Sequence, residues 1–120
     1  MAEVNNLGYT ACEAAYRDGG PWREELLRYL GANRDCIHSF VKERIPEIGV
    51  YQHEATYLSW LDMTAFGLSD PVAHFESHGV GLTDGAFFDS PGHLRLNFGC
   101  PRSTLKEGLE RMENAVDALR

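Results

Sequence analysis

At 120 residues, 43% hydrophobic and 24% charged, the chain has the make-up of one globular domain or a piece of one, able to bury about two thirds of its unfolded surface. A net charge of −7, with nine arginines and two lysines scattered along the sequence, offers no basic face to nucleic acid or to an anionic membrane. No apolar run approaches a bilayer span or a signal peptide, and the three widely spaced cysteines (Cys12, Cys36, Cys100) make no disulfide framework, so a reducing cytoplasm is expected.

Residues 9–18 read as a short helix of small residues, with Ala11, Ala14 and Ala15 among polar neighbours, broken by the Gly19-Gly20 pair, which can act as a hinge. Pro21 suits the first turn of a second helix. Trp22, Leu26, Leu30, Asn33, Ile37, Val41 and Ile45 then recur at spacings of three and four, one stripe that is nearly all apolar, and Pro46 ends it. A helix over 21–44 would be about 36 Å long, which in so small a protein suggests an element bridging two bodies.

Two strands are expected next, 48–52 and Thr56–Asp62, joined by a polar turn at His53-Glu54. The second is apolar or aromatic on both faces (Tyr57, Leu58, Trp60, Leu61), the pattern of a central strand covered on both sides. Ser69 is placed to cap a short helix with Pro71 in its first turn, Val72 and Phe75 inward and Gly79 as its stop. Val80-Gly81-Leu82 reads as a minimal strand, and 83–92 as a Gly-, Asp-, Ser- and Pro-rich loop around Phe87 and Phe88, side chains that seldom sit comfortably in water.

In the segment His93–Ser103, Leu94, Leu96 and Phe98 alternate with His93, Arg95 and Asn97, the period of a strand with one apolar face. Gly99 and Pro101 then turn the chain. A final helix follows, with a capping box from Thr104 to Glu107 or Ser103 as its cap, and a stripe of Leu105, Leu109, Met112, Val116 and Leu119. The order helix, long helix, two strands, helix, two strands, helix implies an α+β fold: a small, mostly antiparallel sheet with helices on one face. Arg95 sits mid-strand on the polar side, where its planar guanidinium could grip a carboxylate through two hydrogen bonds. On that segment alone the stronger reading is an arginine pointing into water from a half-exposed sheet, since most strand arginines are solvated.

The rest of the chain gives Arg95 a role. Ala55–Asp62, Gly79–Gly85 and Arg95–Arg102, taken in order, resemble the fold-type I pyridoxal-phosphate enzymes, in particular the cystathionine β-lyase-like C–S lyases within the class I/II aminotransferases. Ala14-Ala15-Tyr16, Gly19, Trp22 and Asn33 resemble that family's link from large to small domain. The resemblance covers essentially the whole chain, with two departures: Ala55 and Phe88 stand where the family often has glycine.

The resemblance implies a C-terminal small domain over 21–120, with 1–20 the remnant of the link from a large domain that is missing here. It assigns Arg95 to the α-carboxylate of an amino-acid substrate. It places the imine-forming lysine and the cofactor's other holders in the large domain. Lys42 and Lys106 match no such motif, so no catalytic or cofactor-binding residue is carried over and the chain alone is expected to be inactive. In the full enzyme the cofactor serves as electron sink after Cα deprotonation. Lyase and transaminase share the arginine, and a free-standing binding module that kept the fold and lost the chemistry is the reading from another class.

Rival sites are weaker. His74 and His78, four apart on one helix, lack a third metal ligand at a suggestive spacing. Cys100 has no His and carboxylate placed to activate it and reads as a packed thiol. Asp62 and Asp84 read as turn residues, and Trp60 and Tyr57 as core. The apolar stripe of 21–45 and the Phe87-Phe88 loop, uncovered without a large domain, imply self-association as a homo-oligomer.

Overall fold

The computed structural model describes residues 5–120. Helix α1 (Asn6–Asp18) starts earlier than its alanines suggest, because the Asn5 side chain accepts the Gly8 N–H at 2.8 Å and caps it. Only Gly19 separates α1 from α2 (Gly20–Arg44), and a Cβ on Gly19 would run into the carbonyl oxygen of Ala15, which explains glycine at the joint. The long helix has the expected span, but its stripe is buried only in the C-terminal half. Asn33, Ile37 and Val41 are buried, whereas Trp22 is 68% exposed. The reason is length: 25 residues reach about 37 Å, while the five-residue strands beneath reach roughly 17 Å.

The sheet has the order β1-β2-β4-β3, antiparallel throughout, with β1 Gly49–Val50, β2 Leu58–Asp62, β3 Thr83–Asp84 and β4 His93–Asn97. The fold is α+β, as the element order implied. Strand β2 is central but not covered on both sides: Ser59 and Leu61 are fully buried, while Leu58, Trp60 and Asp62 are only partly so. Tyr57 lies outside the strand and is half exposed. The link from β1 is a seven-residue loop over 51–57 rather than a two-residue turn. Thr56 adopts φ 67°, and His53 packs edge-on against Phe98 with ring centroids 5.3 Å apart.

A 3-10 turn (Thr64–Phe66) precedes α3 (Pro71–Ser77). The cap is Asp70, not Ser69: its carboxylate accepts the Ala73 N–H at 2.9 Å, and Pro71 at the first helical position leaves only the preceding residue to cap. Gly79 stops the helix with φ 78°. Val80 and Leu82 point into the core instead of forming a strand, and pairing with β4 begins at Thr83. A second 3-10 turn spans Gly85–Phe88.

Helix α4 (Arg102–Asp117) begins before either expected cap. Its first N–H, from Arg102, is satisfied by the Tyr29 hydroxyl of α2 at 2.6 Å. Leu105, Leu109, Met112 and Val116 are buried against α2, α3 and the sheet, but Leu119 falls past the helix end and is 38% exposed. Each fully buried side chain of this core contributes about 1.5–3 kcal/mol.

Candidate functional site

The pleat of β4 divides its residues. Leu94 and Leu96 join the helix-covered core; His93, Arg95 and Asn97 emerge on the other face. In the ladder Arg95 lies opposite Trp60 of β2 and Thr83 of β3. Among the described residues no carboxylate forms an ion pair with it. Its guanidinium carbon instead stands 4.8 Å from the centre of the Phe88 ring, and that ring meets Trp60 edge-on at 5.7 Å. Phe88 is therefore a neighbour of the site rather than a stray loop side chain, whereas Phe87 remains 82% exposed.

The same face continues past Trp60. His93 stacks on Trp60 at 6.0 Å, and its Nε2 lies 3.3 Å from the Tyr51 hydroxyl and 3.9 Å from an Asp62 oxygen. Asp62 is committed elsewhere, since the Thr64 hydroxyl and backbone N–H both donate to it and hold its carboxyl below the ordinary carboxylate range. Asp84 accepts the Ala86 N–H at 2.9 Å. Both aspartates thus serve local turns.

Behind β4 lies a buried latch. Asn33 is fully buried on α2; its amide donates to the carbonyls of Phe98 (2.9 Å) and Cys100 (3.0 Å), and its oxygen accepts from the Arg102 guanidinium. This pins the turn after β4 to the long helix and fixes the frame from which Arg95 projects. The sequence signal was a lone polar residue on an apolar stripe, which must find partners when buried. Its partners, 65–69 residues away, carry no such signal.

His74 and His78 do share a face, with rings 4.9 Å apart, but each is turned to a backbone carbonyl, of Ala115 and His74 respectively. Among the described residues no three His, Cys, Asp or Glu side chains converge as metal ligands. Cys100 packs against the core. Among the described residues no helix is long and apolar enough to cross a membrane.

No family model matches the chain. Cystathionine beta-lyase PatB of Bacillus subtilis is 36% identical over 121 residues, covering 97% of this chain and 31% of that protein. The crystal structure of OvoB superposes with a TM-score of 0.90 at 42% identity, over 96% of this chain and 30% of that one. Cystalysin of Treponema denticola, whose structure contains a pyridoxal 5'-phosphate cofactor, gives a TM-score of 0.89 at 30% identity, over 98% of this chain and 31% of that one. The chain matches the C-terminal domain of fold-type I pyridoxal-phosphate enzymes. It spans about a third of the length of these relatives.

The chain has a clear division of labour: its helices and the inner sheet face make the core, and the outer face carries the candidate site residues. Ala55 and Phe88 each directly precede a non-glycine residue with positive φ, Thr56 (67°) and Asp89 (55°).

Lys42 and Lys106 are exposed on α2 and α4, the helices packed on the opposite side of the sheet from Arg95, so neither lysine shares a face with it.

Proposed function

We propose that this chain is the small domain of a pyridoxal-phosphate-dependent C–S β-lyase or aminotransferase, and that Arg95 binds the α-carboxylate of its amino-acid substrate. The observation that carries this reading is an arginine at the centre of a sheet face with no carboxylate partner among the described residues. A structural arginine in a sheltered position would normally be neutralised by a fixed anion. Among the described residues no anion engages the Arg95 fork, and a fork of that shape fits a carboxylate through two parallel hydrogen bonds.

In this reading residues 21–120 form the domain and 1–20 the link to a large domain that holds the cofactor; residues 1–4 lie outside the described part. Helix α1 buries none of its residues, as suits a segment whose partner is elsewhere. The exposed Tyr16, Trp22 and Leu27 would meet the remainder of a homo-oligomeric enzyme. By itself the chain is inactive, because it brings the carboxylate anchor and not the reacting centre.

The test is Arg95→Lys in the enzyme assembled with its large domain. Lysine keeps the charge and loses the bidentate geometry, so KM for the amino acid should rise about ten- to a hundredfold, equivalent to about 1.5–3 kcal/mol. A substrate analogue lacking the carboxylate should be handled alike by both proteins. Unchanged KM in Arg95→Lys would refute the anchor role.

A further inference from the structure

We propose that Phe88 is a positioning residue for Arg95, its ring holding the guanidinium in one orientation so that the fork is already aimed when a carboxylate arrives. This rests on the carboxylate reading above. Four observations support it. The guanidinium carbon lies 4.8 Å from the ring centre, inside the roughly 6 Å reach of a cation–π contact. No ion pair within the described residues competes for the guanidinium. The Phe88 ring is itself fixed from the side, edge-on to Trp60 at 5.7 Å and 78°, and Trp60 is the cross-strand partner of Arg95.

The fourth observation is that the segment carrying Phe88 is built rather than loose. Asp84 caps it by accepting the Ala86 N–H at 2.9 Å, and Asp89 and Ser90 close it by donating to the carbonyls of Ala86 and Gly85 at 3.3 and 3.0 Å. Gly85 lies so close to the strand that a Cβ there would run into the carbonyl oxygens of Ser90 and His93. The turn is thus seated directly on the start of β4, two residues before Arg95. Phe87, next in line but 82% exposed, does not share this contact and provides an internal control.

An aromatic face suits this task better than a carboxylate would. It restricts a long, flexible side chain without occupying its hydrogen-bond donors, all of which stay available to the ligand. A carboxylate in the same place would compete with the substrate for the same fork.

The experiment has two arms. In the 15N-labelled chain, the Arg95 Nε–Hε resonance should carry an upfield ring-current shift that Phe88→Leu abolishes, Phe88→Tyr retains and Phe87→Leu leaves alone. In the enzyme assembled with its large domain, Phe88→Leu should raise KM for the amino acid about two- to fivefold with kcat unchanged, and Phe88→Tyr should restore it. An Arg95 resonance indifferent to Phe88→Leu overturns the proposal. So does a normal KM in Phe88→Leu when Arg95→Lys has raised it, and the anchor role then stands. If Arg95→Lys itself leaves KM unchanged, the carboxylate reading falls, and with it the positioning role.

Discussion

Leu94 and Arg95 are adjacent in one strand and answer to different demands. Leu94 is completely buried beneath the helix layer, where its identity is set by packing. Arg95 faces the other way, among Trp60, Phe88 and His93, on a side that none of the core-forming helix residues covers. The inner face holds the domain together. The outer face is left with polar and aromatic groups whose contacts contribute little to folding and leave donors free, as expected of a surface that completes a site with another body.

That contrast breaks most readily at Leu94. Leu94→Ala should destabilise the chain by about 3 kcal/mol through lost burial and the cavity left behind, read from the urea midpoint. Arg95→Ala should cost less than about 1 kcal/mol, the scale of an exposed cation–π contact. Equal costs at the two positions would mean that the outer face is structural too, and the division between the faces would be lost.

Asn33 tests the seam between them. Asn33→Leu fills the space but strands the carbonyls of Phe98 and Cys100 and the Arg102 guanidinium, at about 2–3 kcal/mol in the same measurement. The change should also loosen the turn after β4, seen as faster hydrogen exchange at Leu105 N–H, which donates to Pro101 at 3.0 Å. A stability unchanged within about 0.5 kcal/mol would show that the latch is dispensable.

A smaller effect of opposite sign is expected at Thr56. A β-branched residue at φ 67° is strained by about 1–2 kcal/mol. Thr56→Gly relieves that, partly offset by the added freedom of the unfolded chain and by loss of the hydrogen bond from Leu58 N–H to the threonine hydroxyl at 3.3 Å. A net gain of about 0.5–1 kcal/mol should appear as a higher urea midpoint; a lower one would mean that the left-handed turn is not strained by its side chain.

The inner face was legible in the sequence, and the outer face was not. Period two over Leu94–Phe98 and the three-four stepping of Leu105–Val116 both reflect burial, which acts on every turn of an element and leaves a regular trace. Arg95 could be singled out by its place in a motif, but the contact with Phe88 comes from a 3-10 turn that brings a loop residue back over the strand, and no periodicity encodes that. The same limit applies to ends. Asp70 rather than Ser69 caps α3, and Tyr29 from a distant helix serves the start of α4, because caps depend on a single geometry instead of a repeated pattern. The stripe of α2 is regular along its whole length, and what periodicity does not mark is where its cover stops: the sheet beneath it ends, and the N-terminal half stays exposed.

The smallest expected effect concerns His38, on the buried half of α2 and 6.1 Å from the His53 ring. Burial above all, then the neighbouring His53 and Arg34, holds its imidazole below the ordinary value of 6.5, with Asp35 partly opposing. The folded chain therefore disfavours the proton relative to the unfolded one. As pH falls below 6.5 the unfolded state takes up more protons, and the contribution of neutral His38, fully present above that value, is progressively lost. Asp62, also held low, gives up its own contribution only as pH drops below its ordinary value of 3.8, so the two windows are separate. Urea midpoints measured from about pH 7 down to 5 should decline for the wild type and decline less steeply for His38→Gln, which cannot charge. Parallel slopes in the two proteins would show that His38 is as free to protonate folded as unfolded, and that the half of α2 above the sheet is wetter than its packing indicates.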